Sequence, residues 1–547
     1  MNRAQTRKAI WKRLELLLFA DWILIALLSA ISFWYTTSIS AGALWGDEVQ
    51  YAVAGTSVLA GNPFVNIVHM FAPFGKYLIG LSQFIFGATS FGARVGIVLT
   101  SLLTLCVIYF VARQLQGPKT GILAVIALSS IPLFATHATS AMLDLPLAAG
   151  VTVICGLTLL ETQAPGTKWR DIIVGISIII ASASKAYGFI YVLGPLLSYI
   201  ILRKDSGNLK DSLIRVGGSL AISFIIVYFP LMLASPPDYY SGVDLPASIA
   251  FIFDLPIIGG IAYAFGSSFY FNIFAGHEGS TAPSIVTTIM WIVDGGPFVL
   301  FGMVVSVGTY LLPERWRIEP WWVPAVMILP PLFIFTLILP KGFARFALPI
   351  FPIAVLVVSL VSSRIIQDLS LGRVPQLAIA VVILITAISP ASAFLFADQN
   401  LSADSKYDEV AEFLSSKEGD TSVVASGRHE LMWYLGDRHT EKYYRYLNAS
   451  AVRNYETANG RVKLSGISKN IDLLNRVKAS DIDYVVLSEE SDYYEVVQNS
   501  PRMELVETFS AYTTNEKGTH QVSIWRVENQ NNKTSNKRAW GVDFGYV

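Results

Sequence analysis

Charge is scarce in this chain: Asp, Glu, Lys and Arg make up 15% of 547 residues, against 53% hydrophobic. Ordinary soluble domains carry about a quarter, so the shortage excludes a water-soluble cytoplasmic enzyme. An excess of one sign is lacking too. The 40 Lys+Arg balance the 40 Asp+Glu, which removes any net-charge argument for nucleic-acid binding. Cysteine is nearly absent, and Cys106 and Cys155 both lie in apolar runs. They read as small core hydrophobes rather than a disulfide framework or a zinc site. There is no HExxH, CxxC, P-loop or Rossmann glycine fingerprint, which disfavours nucleotide-dependent chemistry.

Long apolar runs take the place of these features, and the mean hydropathy is +0.51. Crossing about 30 Å of hydrocarbon takes roughly 20 apolar residues. Residues 14–35, 92–112, 121–138, 145–160, 216–233, 286–312, 321–339, 348–362 and 377–396 read as spans, the first of them uncleaved. The run 172–202 is too long for one helix and holds Lys185 near its middle, so it reads as two helices broken there. The total is about eleven crossings.

Residues 74–87 are short for a span, and the positive-inside rule arbitrates. If they do not cross, every inner segment is basic: Arg3, Arg7, Lys8, Lys12 and Arg13, then Arg113/Lys119, Lys168/Arg170, Arg203/Lys204/Lys210/Arg215, Arg315/Arg317 and Arg364/Arg373. The run is therefore expected as an interfacial helix on the outer leaflet. This parity makes the N-terminus cytoplasmic. It places Asp47, Glu48, His69, Lys76, Asp144, Lys185, His277, Glu278, Lys341 and Arg345 on the outer side.

From Asp398 onward there are 18 Lys/Arg and 23 Asp/Glu, which is 41 of the 80 charges. Residues 1–397 accordingly read as a membrane domain, 398–528 as an extracytoplasmic α/β domain and 529–547 as a loose tail. An amphipathic helix over 407–416 and β-branched runs at 422–425 and 484–487 support the α/β reading. Three N-x-S/T sequons, at Asn400, Asn448 and Asn532, agree with export.

Several outer-side residues could carry chemistry. Asp47 precedes an apolar-periodic run with Glu48 beside it, so both suit a helix start, where acids meet the positive end of the dipole. The functional reading makes a carboxylate at the membrane surface a general base toward a hydroxyl or amine. Asp144, in Leu143-Asp144-Leu145-Pro146, admits the same two readings, and two such acids could share a divalent cation. Lys185 lies within an apolar run, where an ammonium costs roughly 2.5–3.5 kcal/mol at a helix centre; it either snorkels to water or meets an anion. Lys341 and Arg345 form a second cationic pair and Lys76 a third site. Basic residues on the outer face point to an anionic partner such as a lipid phosphate. His69, His277 and Glu278 are the residue types for a divalent-cation site; a lone histidine is more often an ordinary hydrogen-bonding residue.

The ordered set Asp47-Glu48, His69…Pro73…Lys76, Phe86-Gly87…Phe91-Gly92-Ala93-Arg94, Leu143-Asp144-Leu145-Pro146, Ser184-Lys185-Ala186 and Lys341-Gly342…Arg345…Leu348-Pro349 resembles the polytopic GT-C glycosyltransferases. Within them it is most similar to the protein O-mannosyltransferase and lipid A aminoarabinose transferase superfamily, over residues 10 to 360. The usual His-Pro-Pro run is broken here to His69-Met70-Phe71-Ala72-Pro73. The resemblance implies a polyprenyl-phosphate-linked sugar donor, inverting transfer at the outer face, and a protein, lipid or glycan acceptor. It casts Asp47 as base and Asp144 as a second acid that orients the acceptor or assists a metal. Lys185 and the Lys341/Arg345 pair, with Lys76, would hold the donor phosphate. The competing readings are a transporter with a path lined by Asp47, Asp144 and Lys185 and a non-catalytic sensor or assembly protein that displays the soluble domain.

Overall fold

The structure, a computed structural model, describes residues 21–37, 47–59, 73–163, 166–185, 187–233, 299–334, 344–368, 407–425, 452–457, 459–466, 482–489, 493–513 and 518–527, besides a few single positions. They form two compact units, one of residues 1–404 and 438–447, the other of 405–437 and 448–547.

The first unit is helical. Its elements are α1 Asp21–Thr37, α2 Asp47–Leu59, α3 Pro73–Phe86, α4 Ser90–Gln116, α5 Pro118–Ser129, α6 Pro132–Ala138, α7 Asp144–Glu161, α8 Lys168–Ser184, α9 Gly188–Asp205 and α10 Leu209–Leu233. There follow α11 Val299–Leu311, α12 Trp322–Phe333, a 3₁₀ segment Ala344–Ile350 and α13 Phe351–Asp368. Local chemistry sets the boundaries. Thr89 caps α4 by accepting from Gly92 N at 3.1 Å. Gly117, at φ +97°, ends that helix and Pro118 starts the next.

Two expectations meet the structure differently. The run 172–202 does divide at Lys185, which lies between α8 and α9. The run 121–138 is not one straight span: α5 and α6 meet at a 78° bend. The cause is Pro132, which has no N–H to continue a helix and opens α6 instead. Among the described residues four helices are long and apolar enough to cross a membrane, or five if that bent pair counts as one span. The expected span over 377–396 lies outside the described residues.

Exposed side chains show what surrounds this unit. Leu99, Leu103 and Phe110 on α4 and Ile222, Ile225 and Ile226 on α10 lie open. In water such stripes would cost about 25 cal/mol per Å²; against lipid tails they cost nothing. On α3, 14 residues long, Gly75, Lys76, Ile79, Ser82 and Gln83 are buried, while Leu81, Phe84, Ile85 and Phe86 are exposed. The helix thus has one packed face and one apolar face turned outward. The inner helices among those described are α7, where nearly every residue is buried, and α13, buried throughout Phe351–Val361.

The second unit carries a six-stranded sheet in the order β2-β3-β1-β4-β6-β5. The strands are β1 Thr421–Ala425, β2 Val452–Thr457, β3 Gly460–Gly466, β4 Tyr484–Ser488, β5 Met503–Thr513 and β6 Gly518–Val527. Strand β1 runs parallel to β3 and β4, and the other pairs are antiparallel. Among the described residues the unit also has helices α14 Tyr407–Ser415 and α15 Tyr494–Gln498. Val424, Val485, Leu487, Val497 and Trp525 form its core.

Candidate active site

The site begins with main chains in close contact. A Cβ on Gly55 of α2 would lie 2.7 Å from Gly80 N and 3.0 Å from Lys76 O of α3. A Cβ on Gly75 would lie 2.5 Å from Leu143 Cδ2, beside Asp144. Ser82 Oγ donates to Gly92 O at 2.6 Å and joins α3 to α4. The start of α3 is thereby held against both α2 and the loop before α7.

Glu48, the residue after Asp47, is wholly buried and fixed from two sides. Arg94 on α4 donates Nε to Oε1 at 2.9 Å and Nη2 to Oε2 at 2.7 Å. Ala141 N donates to Oε1 at 2.5 Å. Such a two-pronged pair recovers its desolvation cost only with good geometry and further hydrogen bonds, and both are present. Glu48 thus ties the start of α2 to α4 and to the loop that leads into Asp144. Sequence reasoning grouped it with the catalytic acids; the structure commits its carboxylate to Arg94 and the Ala141 amide.

Asp144 opens α7 and is also wholly buried. Its Oδ1 accepts from Lys185 Nζ at 2.7 Å and from Tyr187 OH at 3.2 Å, and its Oδ2 lies 3.8 Å from His137 Nδ1. The two residues that the sequence assigned to opposite substrates are therefore partners of each other. The break between α8 and α9 makes this possible, because Lys185 and Tyr187 leave the helix there and reach α7. Tyr187 also packs on Phe346, ring centroids 4.9 Å apart, and Tyr191 OH donates to Phe346 O. Arg345, next in the chain to Phe346, has its backbone at the same cluster.

Lys76 differs from Lys185. It is buried at 5% exposure, and no carboxylate whose side chain the structure describes lies within ion-pair distance of it. Burial draws its ammonium down to about 8. An incoming anion would supply a counter-charge to it.

Asp47, Glu48, Lys76, Asp144, Lys185 and Arg345 thus lie on segments gathered at one end of the helical unit. His69, Lys341, His277 and Glu278 lie outside the described residues, and so does any metal site they would build. Among the described residues no three His, Cys, Asp or Glu side chains group as metal ligands, and the cation facing Asp144 is Lys185. Sequence reasoning gave no role to Arg94, His137, Tyr187 or Tyr191. A cation and a histidine within apolar runs are signals that could have marked the first two.

A second buried charge cluster occupies the other end of α7, α8 and α9. Asp171 accepts from Tyr199 OH at 2.8 Å, Arg203 Nη2 at 2.8 Å, Ser212 Oγ at 2.6 Å and Arg215 Nε at 2.7 Å. Glu161 takes Arg203 at 3.0 Å, Arg170 at 3.3 Å and the Gly166 amide at 2.8 Å. Along α7 the two clusters are about 25 Å apart at 1.5 Å per residue.

Comparison with known proteins agrees with this architecture. The family described as dolichyl-phosphate-mannose-protein mannosyltransferase matches residues 71–230. An undecaprenyl phosphate-alpha-4-amino-4-deoxy-L-arabinose arabinosyl transferase of Proteus mirabilis is 28% identical over 320 residues, 53% of this chain and 56% of that one. One of Pseudomonas aeruginosa is 30% identical over 126 residues, 22% of this chain and 23% of that one. The chain thus spans about half the length, or less, of the curated relatives it matches. Among solved structures, ArnT from Cupriavidus metallidurans bound to undecaprenyl phosphate superposes with TM-score 0.57 at 14% identity, over 92% of this chain and 97% of that one. The Archaeoglobus fulgidus oligosaccharyltransferase, in complex with Zn and sulfate, gives 0.52 at 14% identity, over 90% and 72%. The chain has the fold of the GT-C glycosyltransferase superfamily and resembles, within it, the protein mannosyltransferases and the aminoarabinose transferases.

Proposed function

We propose that this integral membrane protein is a glycosyltransferase that moves a sugar from a polyprenyl-phosphate donor to an acceptor at the outer face of the membrane, with inversion. The observation that carries the reading is Lys76: a buried cation without a carboxylate partner among the described side chains, set beside the loop that bears Asp144. Likeness to arabinosyl transferases named for an undecaprenyl-phosphate sugar supports the donor class.

In the proposed reaction an acceptor hydroxyl or amine attacks the anomeric carbon and loses its proton to Asp47. The bond from that carbon to the phosphate oxygen breaks, and polyprenyl phosphate departs with the electron pair. Lys76, with Lys341 and Arg345, compensates the charge that develops on it. Asp144 orients the acceptor. Lys185 and Tyr187 act by fixing that carboxylate, so Lys185 becomes a positioning residue rather than a phosphate ligand. Glu48 and Arg94 hold the start of α2, and with it Asp47, against the Asp144 loop. The basic inner loops put the N-terminus in the cytoplasm and the second unit outside. A path for transport needs charges along its length, whereas the described buried charges of the membrane unit fall into two end clusters.

The test is transfer by the purified full chain in lipid, supplied with a panel of radiolabelled polyprenyl-phosphate sugars and with protein, lipid and glycan acceptors. Transfer by the wild type and its loss in Asp47→Asn are expected. Equal rates in both would remove Asp47 as base, and no transfer from any donor would overturn the reading.

A further inference from the structure

The end of the membrane unit remote from Asp144 holds a cavity of about 210 Å³ that the reaction above does not use. Leu115 at the end of α4, Leu159 at the end of α7 and Leu360 of α13 give it an apolar wall, while Gln163, Glu319 and Arg364 give it a polar one. Drug-sized ligands occupy roughly 300–1,000 Å³, so this space suits a headgroup fragment.

The charges inside are unequally satisfied. Glu319 accepts from Arg317 Nε and, at 3.3 Å, from Trp321 N, so a neighbouring arginine already neutralises it. Arg364 is half-buried, and its one hydrogen bond among the described residues runs from Nη1 to Arg317 O. A guanidinium has five N–H donors in a planar fork; the rest of this fork makes no hydrogen bond among the described residues, and the charge that acts on it is the Glu319 carboxylate, which Arg317 already pairs. Gln163 spends its amide nitrogen on Leu115 O at 3.3 Å. Beside the cavity Tyr310, Leu311 and Trp321 are exposed, with Tyr310 and Trp321 rings 5.1 Å apart. Such aromatic side chains sit at headgroup depth.

We infer that this cavity binds the phosphate of an anionic lipid in the leaflet at that end, with the Arg364 fork as its ligand and the three leucines against the glycerol and first methylenes. An arginine fork matches phosphate oxygens in pairs, and only a lipid also fills the apolar wall.

The test titrates the purified full chain in neutral detergent with phosphatidylglycerol, phosphatidylcholine and inorganic phosphate in turn, reading the rise in Tm as ligand binds the native state. Phosphatidylglycerol is expected to give a saturable rise that phosphatidylcholine does not. Arg364→Gln should weaken it at least tenfold. Gln163→Trp, at an exposed position on the rim, should do the same by closing the entrance with the arginine retained, and it carries the test if the first variant does not fold. Arg315→Gln, an exposed arginine at the same end, should leave the rise unchanged. An equal rise in wild type and Arg364→Gln would overturn the proposal. So would a rise with inorganic phosphate alone, which would assign the cavity to a free anion. Sugar transfer is not read, so the outcome stands apart from the fate of the glycosyltransferase reading.

Discussion

The helices α7, α8 and α9 carry a buried charge cluster at each end, and the two are built on opposite principles. Around Asp171 and Glu161, three arginines, a tyrosine, a serine and a backbone amide meet two carboxylates in direct hydrogen bonds. Around Asp144 the pairing is local. Lys185 and Tyr187 meet one carboxylate oxygen, Arg94 and Ala141 N meet Glu48, and Lys76 is without an acid among the described side chains. A saturated network rigidifies, and a site must keep some charge in reserve for its ligand. The first cluster is a fastening; the second is the candidate site.

That contrast can be broken by substitution. The largest effect is expected at the candidate site, where Asp47→Asn should lower turnover by about 10²–10⁴-fold, the usual worth of a general base, with Tm unchanged. A parallel fall in Tm would show that Asp47 only caps α2. At the other end Asp171→Asn should cost about 3–5 kcal/mol of stability, because arginines are left buried without their acid. Protein that survives should turn over normally, as thermal unfolding and single-turnover rates together would show. Lys76→Met should weaken donor binding by about 10–100-fold, the range of a hydrogen bond to a charged group, and lower the saturated rate as well, because the departing phosphate loses a cation that offsets its developing charge. Lys76 also gives a sign for pH: with its ammonium drawn down to about 8, kcat/KM should fall as pH rises through that value, and Lys76→Arg should push the fall to higher pH. The smallest change is Tyr187→Phe, which removes one hydrogen bond to Asp144 and should cost about 0.5–1.5 kcal/mol, seen as a modest loss of kcat.

Much of this layout was legible in the sequence, and the failures have physical causes. Hydropathy located α4, α7 and α10, and a lysine inside an apolar run marked the break between α8 and α9. It missed the bend before α6, because Pro132 is apolar enough to pass and acts only through its missing N–H. In the second unit the β-branched runs of β1 and β4 were read. Strands β2, β3, β5 and β6 were not: their charged residues, such as Arg453, Glu456, Arg461 and Lys463, interrupt any apolar run. Residue types also showed which segments hold the site, since acids and cations are costly in an apolar bundle. They did not show who pairs with whom. Glu48 meets Arg94 across 46 residues and Asp144 meets Lys185 across 41, and no local pattern encodes contacts of that range.

The seam between α2 and α3 has a mechanical consequence. Gly55 and Gly80 meet main chain to main chain, and a Cβ on Gly55 would press on the Lys76 carbonyl. A single added methyl group would therefore act as a lever, moving the cation without deleting any polar atom. An alanine at Gly55 would register in assays as a defect in donor affinity, though the substituted position never touches the donor.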